Sequence, residues 1–379
     1  MNRTLLILLL TVFFSSCNTE KKQITKSDLS GFWEQQGEGE IIEINDSLVV
    51  SFYSSTFNCF PDWEMSRAYF NTQTPNIKVI DKNTFTHQID FTTLTYKKVK
   101  ERPTLCKELT QQQEENNAYN FETFWHTYNE QYAFFKERNT DWNQLKTKYQ
   151  KQFTDKTPPF EFYLLLERMV LELNDEHSDI EVPEEFEEQW DTLFSDPDTT
   201  DYKTLAQNKI LKKYVTNVKE YGDDQWYAGL INNDLAYIQL NDMEEIDDLH
   251  TVMDSIINQI QHTKYCIIDL RFNGGGYDQV GLDIMSHFIE KEYKVFKKKR
   301  RFKDVYTGEQ TITIAPSKKP YSKPVFLLTS PYTVSAAETT ILATMNFPQF
   351  KRIGSPTNGA LSDMLYKDCL LYTSPSPRD

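Results

Sequence analysis

From Trp226 onward the chain alternates short apolar runs with stretches of helical spacing, and this alternation constrains the fold more than any other feature. Leu235–Leu240 reads as a strand and Ile246–Ile260 as a helix, then Cys266–Phe272 as a strand and Val280–Ile289 as a helix. Val325–Thr329, Ala336–Met345 and Phe350–Ile353 continue the series as strand, helix and strand. Such a series folds as βαβ units, so a mostly parallel sheet covered by helices is expected. A basic hairpin, Tyr293–Val305 with Thr311–Ala315, interrupts it. Its run Lys297-Lys298-Lys299-Arg300-Arg301 reads first as a solvated face and second as a contact for an anion or a peptide carboxylate.

Two other textures precede this region. Residues 27–110 carry short β-rich runs separated by turn residues (Glu40–Ile44, Ser47–Tyr53, Asn76–Ile80, Thr84–Asp90, Thr92–Tyr96), which predicts a small antiparallel β domain. The polar stretch Gln111–Asn117 reads as a linker. Residues 118–225 read as a helical subdomain. Phe124, Trp125, Tyr128, Tyr132 and Phe135 recur at three- and four-residue spacing, as do Phe162, Leu165, Leu166, Met169, Val170 and Leu173. That aromatic stripe is read as core rather than as a cofactor box. An acidic stretch follows, with a helix expected at Tyr202–Lys219, and residues 226–367 form the α/β core. The net charge of −15 argues against nonspecific nucleic-acid binding.

The first 17 residues have the form of a secretory signal: Arg3, then apolar Leu5–Phe14, then Ser15-Ser16-Cys17. The cysteine after small residues resembles a bacterial lipobox. The expectation is therefore lipidation at Cys17, a polar tether over 18–26, and anchoring in the cell envelope at a periplasmic or outer-membrane face. Cys59 and Cys106 could pair in an oxidising compartment, whereas Cys266 sits inside an apolar strand and reads as a buried free thiol.

Ser335 stands between the strand at 325–329 and the helix at 336–345, where open α/β sheets place reactive groups. Ser335-Ala336-Ala337-Glu338 also matches a capping box, so a plain helix cap is the competing reading. Upstream, Asn273-Gly274-Gly275-Gly276 follows another strand, and such a run lets backbone N–H groups approach a substrate oxygen or simply makes a tight turn. Among the six histidines, His177 stands out because it follows a long apolar-periodic helix and has Asp175 and Glu176 beside it. There is no G-x-S-x-G, no H-E-x-x-H, no Cys/His cluster and no G-x-G-x-x-G. No metal and no cofactor are expected.

Taken together, Ile267–Gly276, Thr329–Glu338 and Gly354-Ser355-Pro356-Thr357-Asn358-Gly359 resemble, in order and spacing, the core of the tail-specific (C-terminal processing) serine peptidases and their tricorn-like relatives. Leu173-Asn174-Asp175-Glu176-His177 resembles the motif those proteins carry before the core. The resemblance runs from about Asn120 to Lys367 and leaves the β domain unexplained. It implies a crotonase-type α/β core with a helical N-terminal subdomain. It also implies endopeptidase or C-terminal trimming activity on peptides or unfolded envelope proteins, without a metal. Ser335 would attack the scissile carbonyl, and the N–H groups of Gly275 or Gly276 and of Ala336 would hold the oxyanion. Where many of these enzymes place a dyad lysine, this chain has Ala360. The resemblance is therefore to the tricorn-like branch, with His177 as general base. Glu176 stands where that branch has a serine, and either orients the imidazole or faces solvent. About 48 residues separate His177 from Trp226, too few for the peptide-binding PDZ module the family often carries there. The branch's catalytic glutamate would lie beyond Lys367. Residues 368–379 break the pattern and read as non-native, so a longer native chain is expected. The alternative expectation is a noncatalytic peptide- or ligand-binding lipoprotein on the same fold. Oligomeric state is left open.

Overall fold

The computed structural model describes residues 29–364 apart from 73–75, 90, 108 and 195–201. The expectations about the signal segment with Cys17, the tether over 18–26 and residues 368–379 fall outside the described residues.

The β-rich region forms one seven-stranded antiparallel sheet in the order β4-β3-β2-β1-β7-β6-β5. Its strands are β1 (Gly31–Gln35), β2 (Glu40–Ile44), β3 (Leu48–Ser54), β4 (Cys59–Ser66), β5 (Ile77–Asp81), β6 (Thr84–Ile89) and β7 (Thr92–Val99), with helix α1 (Arg67–Thr72) after β4. Strands β1 and β4 are additional to those expected from the sequence. Strand β4 carries Pro61 and two charges, Asp62 and Glu64, a pattern suited to an edge strand, and it lies at the sheet edge. The core is aromatic: Trp33 meets Phe85 edge-on with centroids 4.8 Å apart, and Phe85 stacks on Tyr96 at 4.6 Å. Cys59 and Cys106 form a disulfide, which ties the segment after β7 back to β4.

The helical subdomain comprises α2 (Gln111–Glu114), α3 (Asn117–Gln131), α4 (Trp142–Tyr149), α5 (Pro159–Leu171), α6 (Glu187–Phe194) and α7 (Tyr202–Tyr214). Residues 111–117 are thus not a linker. The Thr110 N–H donates to Gln113 Oε1 at 3.1 Å at the start of α2, and Asn116 caps α3 by accepting from the Tyr119 N–H at 2.7 Å. Caps and Pro159 at the first turn of α5 fix the helix starts, and the aromatic stripe packs as core around Phe121, Trp125, Trp142 and Phe162. The expected helix to Lys219 stops early. Thr216–Tyr221 is instead strand β8, paired with β9 (Trp226–Asn232), because β-branched Thr216 and Val218 can join a sheet edge there.

The core sheet runs β17-β16-β11-β10-β9-β8. Strands β10 (Leu235–Leu240), β11 (Tyr265–Asp269), β16 (Val325–Thr329) and β17 (Phe350–Gly354) are mutually parallel, and β8 and β9 add an antiparallel flank. Alternate residues divide between the two faces. Ile238, Cys266, Ile268 and Leu327 join the cluster built by α8 (Leu249–Ile260), α9 (Asp278–Ser286) and α10 (Ala336–Ala343), while Tyr237 and Ile267 turn toward Leu211 of α7. Helix α8 begins at Leu249 rather than Ile246 because Asp248 takes a left-handed conformation. Cys266 is a buried free thiol.

Strand β12 (Tyr293–Lys298) pairs with β15 (Gln310–Ile314), and the small β13 (Arg301–Phe302) and β14 (Val305–Tyr306) ribbon forms the tip. Its basic run is solvated at Lys297 and Lys299 and docked at Lys298, Arg300 and Arg301. Arg300 pairs with Glu38 of the β domain, and Arg301 donates to the carbonyls of Asn129 and Tyr132 at 2.9 and 2.7 Å. Lys298 reaches Asp363 at 2.7 Å, and Lys297 reaches Glu309 at 2.6 Å. The hairpin thus joins the β domain to the helical subdomain.

Candidate active site

Three loops leave the C-terminal ends of neighbouring parallel strands, where open α/β sheets concentrate their chemistry. The loop after β11 carries the glycine run, the loop after β16 carries Ser335, and the loop after β17 carries residues 355–362. They are stitched to one another. Buried Asn273 donates to the Leu240 carbonyl at 3.1 Å, accepts the Gly275 N–H at 2.9 Å, and offers its own carbonyl to the Val334 N–H at 3.0 Å. Buried Thr333 donates to the Leu270 carbonyl at 2.7 Å and accepts the Asn358 N–H on its own carbonyl at 3.1 Å.

Ser335 sits at the start of α10 with φ 58° and ψ −124°. A non-glycine residue with positive φ of this kind costs on the order of 1–3 kcal/mol and persists only where its surroundings hold it. The holding group is Glu338, whose carboxylate is nearly fully buried. It accepts the Ser335 N–H at 3.1 Å, the Gly359 N–H at 2.7 Å and the Ala360 N–H at 2.8 Å. The capping box read from the sequence is therefore present, and it fixes the strained serine instead of competing with a chemical role for it.

Gly275 abuts this serine. A Cβ on Gly275 would stand 2.6 Å from the Ser335 Cβ and 3.1 Å from its Oγ, and the residue has φ +101°. Gly276, at φ +133°, leaves no room for a Cβ against the Met243 backbone, 2.5 Å away. The Gly275 N–H is engaged by Asn273. The Gly276 and Ala336 N–H groups have no hydrogen-bond partner among the described residues. Of the three expected oxyanion donors, these two are free to donate.

His177 comes from the helical subdomain. Helix α5 ends at Leu171, Asn174 takes φ 50°, and the next turn is shaped by Asp175, which accepts the His177 N–H at 3.1 Å. The half-buried imidazole places Nδ1 2.6 Å from the Ser362 carbonyl. A carbonyl only accepts, so Nδ1 carries the proton and the neutral ring presents Nε2 as its basic nitrogen. The 355–362 loop therefore contacts both partners: Gly359 and Ala360 through Glu338 on the serine side, and Ser362 on the histidine side. Glu176 is exposed, and Asp175 is the carboxylate turned inward. Asp175 also accepts the Tyr132 hydroxyl at 2.7 Å. Burial, then that hydrogen bond, pushes the Tyr132 phenol well above its ordinary pKa.

Ala360, where the dyad enzymes carry lysine, is buried and supplies no amine. The sequence places Asp175 beside His177 without giving it a role, and it does not point to Ser362 at all. For Asp175 a signal was available, since an aspartate two residues before a loop histidine can close an Asx-turn. A backbone carbonyl such as that of Ser362 leaves no signal in residue types.

The comparisons agree with this architecture. Residues 234–367 match peptidase family S41, and residues 113–170 match the Tricorn protease C1 domain. A candidate peptidase from Parabacteroides merdae superposes with a TM-score of 0.53 at 21% identity, covering 65% of this chain and 77% of that one. Mature CPAF gives a TM-score of 0.47 at 11% identity over 66% of this chain and 85% of its own. The photosystem II D1 C-terminal processing protease gives 0.39 at 12% identity over 66% and 83%. No curated protein sequence matches the chain. The fold and the three loop motifs define a serine-type peptide hydrolase. Residues 234–367 match the core of peptidase family S41, the tail-specific serine peptidases, and the chain is accordingly a serine-type peptidase.

Proposed function

We propose that this peptidase is an extracytoplasmic endopeptidase that cleaves peptides or unfolded envelope proteins through Ser335 and His177. The observation that carries the reading is the 355–362 loop, hydrogen-bonded on one side to the carboxylate that holds Ser335 and on the other to the imidazole of His177. Ser335 Oγ attacks the scissile carbonyl while His177 Nε2 takes its proton. The resulting imidazolium then protonates the leaving amine. The tetrahedral oxyanion is received by the N–H groups of Gly276 and Ala336 at the positive end of α10. Each such donor contributes roughly 3–4 kcal/mol to the barrier reduction. Water then hydrolyses the acyl-enzyme with His177 as base.

The extracytoplasmic location rests on the signal-like leader, the lipobox-like Cys17 and the Cys59–Cys106 disulfide, a bond that persists in oxidising compartments. Anchoring through a lipid on Cys17 would hold the enzyme at the cell envelope. The test is hydrolysis of an unfolded protein such as reduced casein by the wild type and by Ser335→Ala. The expected result is complete loss of cleavage with unchanged circular dichroism and melting. Cleavage retained in Ser335→Ala would overturn the assignment. A wild type that binds peptide without cleaving it would favour the noncatalytic alternative.

A further inference from the structure

The nucleophile and the base reside on different bodies of the molecule, so something must keep them in register. Arg138 stands in the turn between α3 and α4, far in sequence from either residue. Its guanidinium donates to the Asn174 carbonyl at 2.7 Å and to the Gly359 carbonyl at 2.9 Å, and it lies 3.3 Å from the Asp175 carboxylate. One side chain thus grips the loop that carries His177 and the loop that holds Ser335. The contacts form an unbroken path. The Ser335 N–H donates to Glu338, which also accepts the Gly359 N–H. The Gly359 carbonyl accepts from Arg138, Arg138 pairs with Asp175, and Asp175 accepts the His177 N–H.

We propose that Arg138 is a positioning residue for the peptidase reaction, a clamp that sets the distance between the base-bearing loop and the nucleophile-bearing loop. The proposal rests on the Ser335/His177 reading. Arginine suits the task because its planar fork can serve several acceptors in fixed directions, which a lysine ammonium cannot do. Asp175 makes the clamp selective. It is almost fully buried, so its charge draws the guanidinium into one place, and the same carboxylate fixes the His177 backbone. Loss of the clamp frees the 174–178 loop to drift relative to Gly359. A displacement of about 1 Å in such a pair lowers turnover on the order of 10²-fold. Substrate contacts on the core are left in place, so the loss falls on kcat and not on KM.

The experiment uses the full chain as wild type, Arg138→Ala and Arg138→Lys. For Arg138→Ala, a kcat lower by about 10²-fold with KM within about twofold is expected. Added guanidinium should recover part of that kcat, because it can reoccupy the site between Gly359 and Asp175. Arg138→Lys should remain close to Arg138→Ala. In parallel, nitrogen-15 spectra of the imidazole report the Nδ1–H of His177. The proton should be protected in the wild type, exchange rapidly in Arg138→Ala, and regain protection with guanidinium. The proposal is overturned by wild-type kcat in Arg138→Ala. It is equally overturned by a kcat loss that guanidinium leaves untouched while the His177 proton stays protected, since that marks a structural role only. If the wild type hydrolyses nothing, the proposed function fails, and the imidazole spectra still decide whether Arg138 holds the His177 loop.

Discussion

The two loops that carry Ser335 and His177 are built by opposite strategies. The serine loop is specified by its near neighbours. A capping glutamate three residues on, a buried Thr333 two residues back and the abutting Gly275 define its strained conformation, and all lie on the segments that follow two adjacent strands, β11 and β16, of one sheet. The histidine loop follows a helix end, and its orientation comes from residues distant in sequence: Arg138, Tyr132 and the Ser362 carbonyl. The difference teaches where each partner is vulnerable. The proposed nucleophile, Ser335, is robust to events elsewhere and sensitive to small steric changes beside it. The proposed base, His177, is sensitive to anything that shifts the helical subdomain against the core.

The largest expected effect is at the base itself. His177→Ala should lower kcat about 10⁶-fold, as loss of the general base does in a Ser/His enzyme, while the Ser335 loop keeps its shape. A crystal structure or amide exchange over residues 330–340 checks the second half. A rearranged serine loop would break the contrast drawn above.

Next is the disulfide. The turn beside Cys59 grips α3, with the Thr56 N–H on Glu130 at 2.9 Å and Asn58 on Thr123 at 2.7 Å. Replacing Cys59 and Cys106 by serine opens a loop of sequence separation 47, which by chain entropy costs about 4 kcal/mol of stability. Denaturant melts should show that loss, and amide exchange should rise around α3 and the histidine loop before it rises around Ser335. Equal loosening of both would blunt the comparison.

The smallest change probes the serine side. Gly275→Ala places a methyl 2.6 Å from the Ser335 Cβ at a backbone angle that L-residues rarely adopt. It should reduce kcat about 10²-fold by displacing the nucleophile. The His177 imidazole signal should stay unchanged. A shifted imidazole would mean that the two loops are coupled more tightly than the hydrogen-bond path suggests.

The contrast also explains what was legible in the sequence. The order of strands and helices after Trp226 was readable because alternating periodicity is a local property, and so were Ser335, the glycine run and the capping box. Strand β4 escaped because its proline and charges mimic a loop, and β8 because its residues followed a helical run without a stop signal. The division of labour between Gly275 and Gly276 was not readable. It depends on Asn273 turning its amide onto one glycine and leaving the other free. The docking of the basic hairpin was hidden for the same reason, since Arg300 and Arg301 find their partners in bodies far away along the chain.

The most direct measurement is the rate of covalent labelling of Ser335 by a fluorophosphonate, read by mass spectrometry of the peptide that contains it. Labelling of wild type should be confined to Ser335 and should lose most of its rate in His177→Ala. Absence of labelling at Ser335, or a labelling rate that His177→Ala leaves intact, would contradict the pairing of this serine with this histidine.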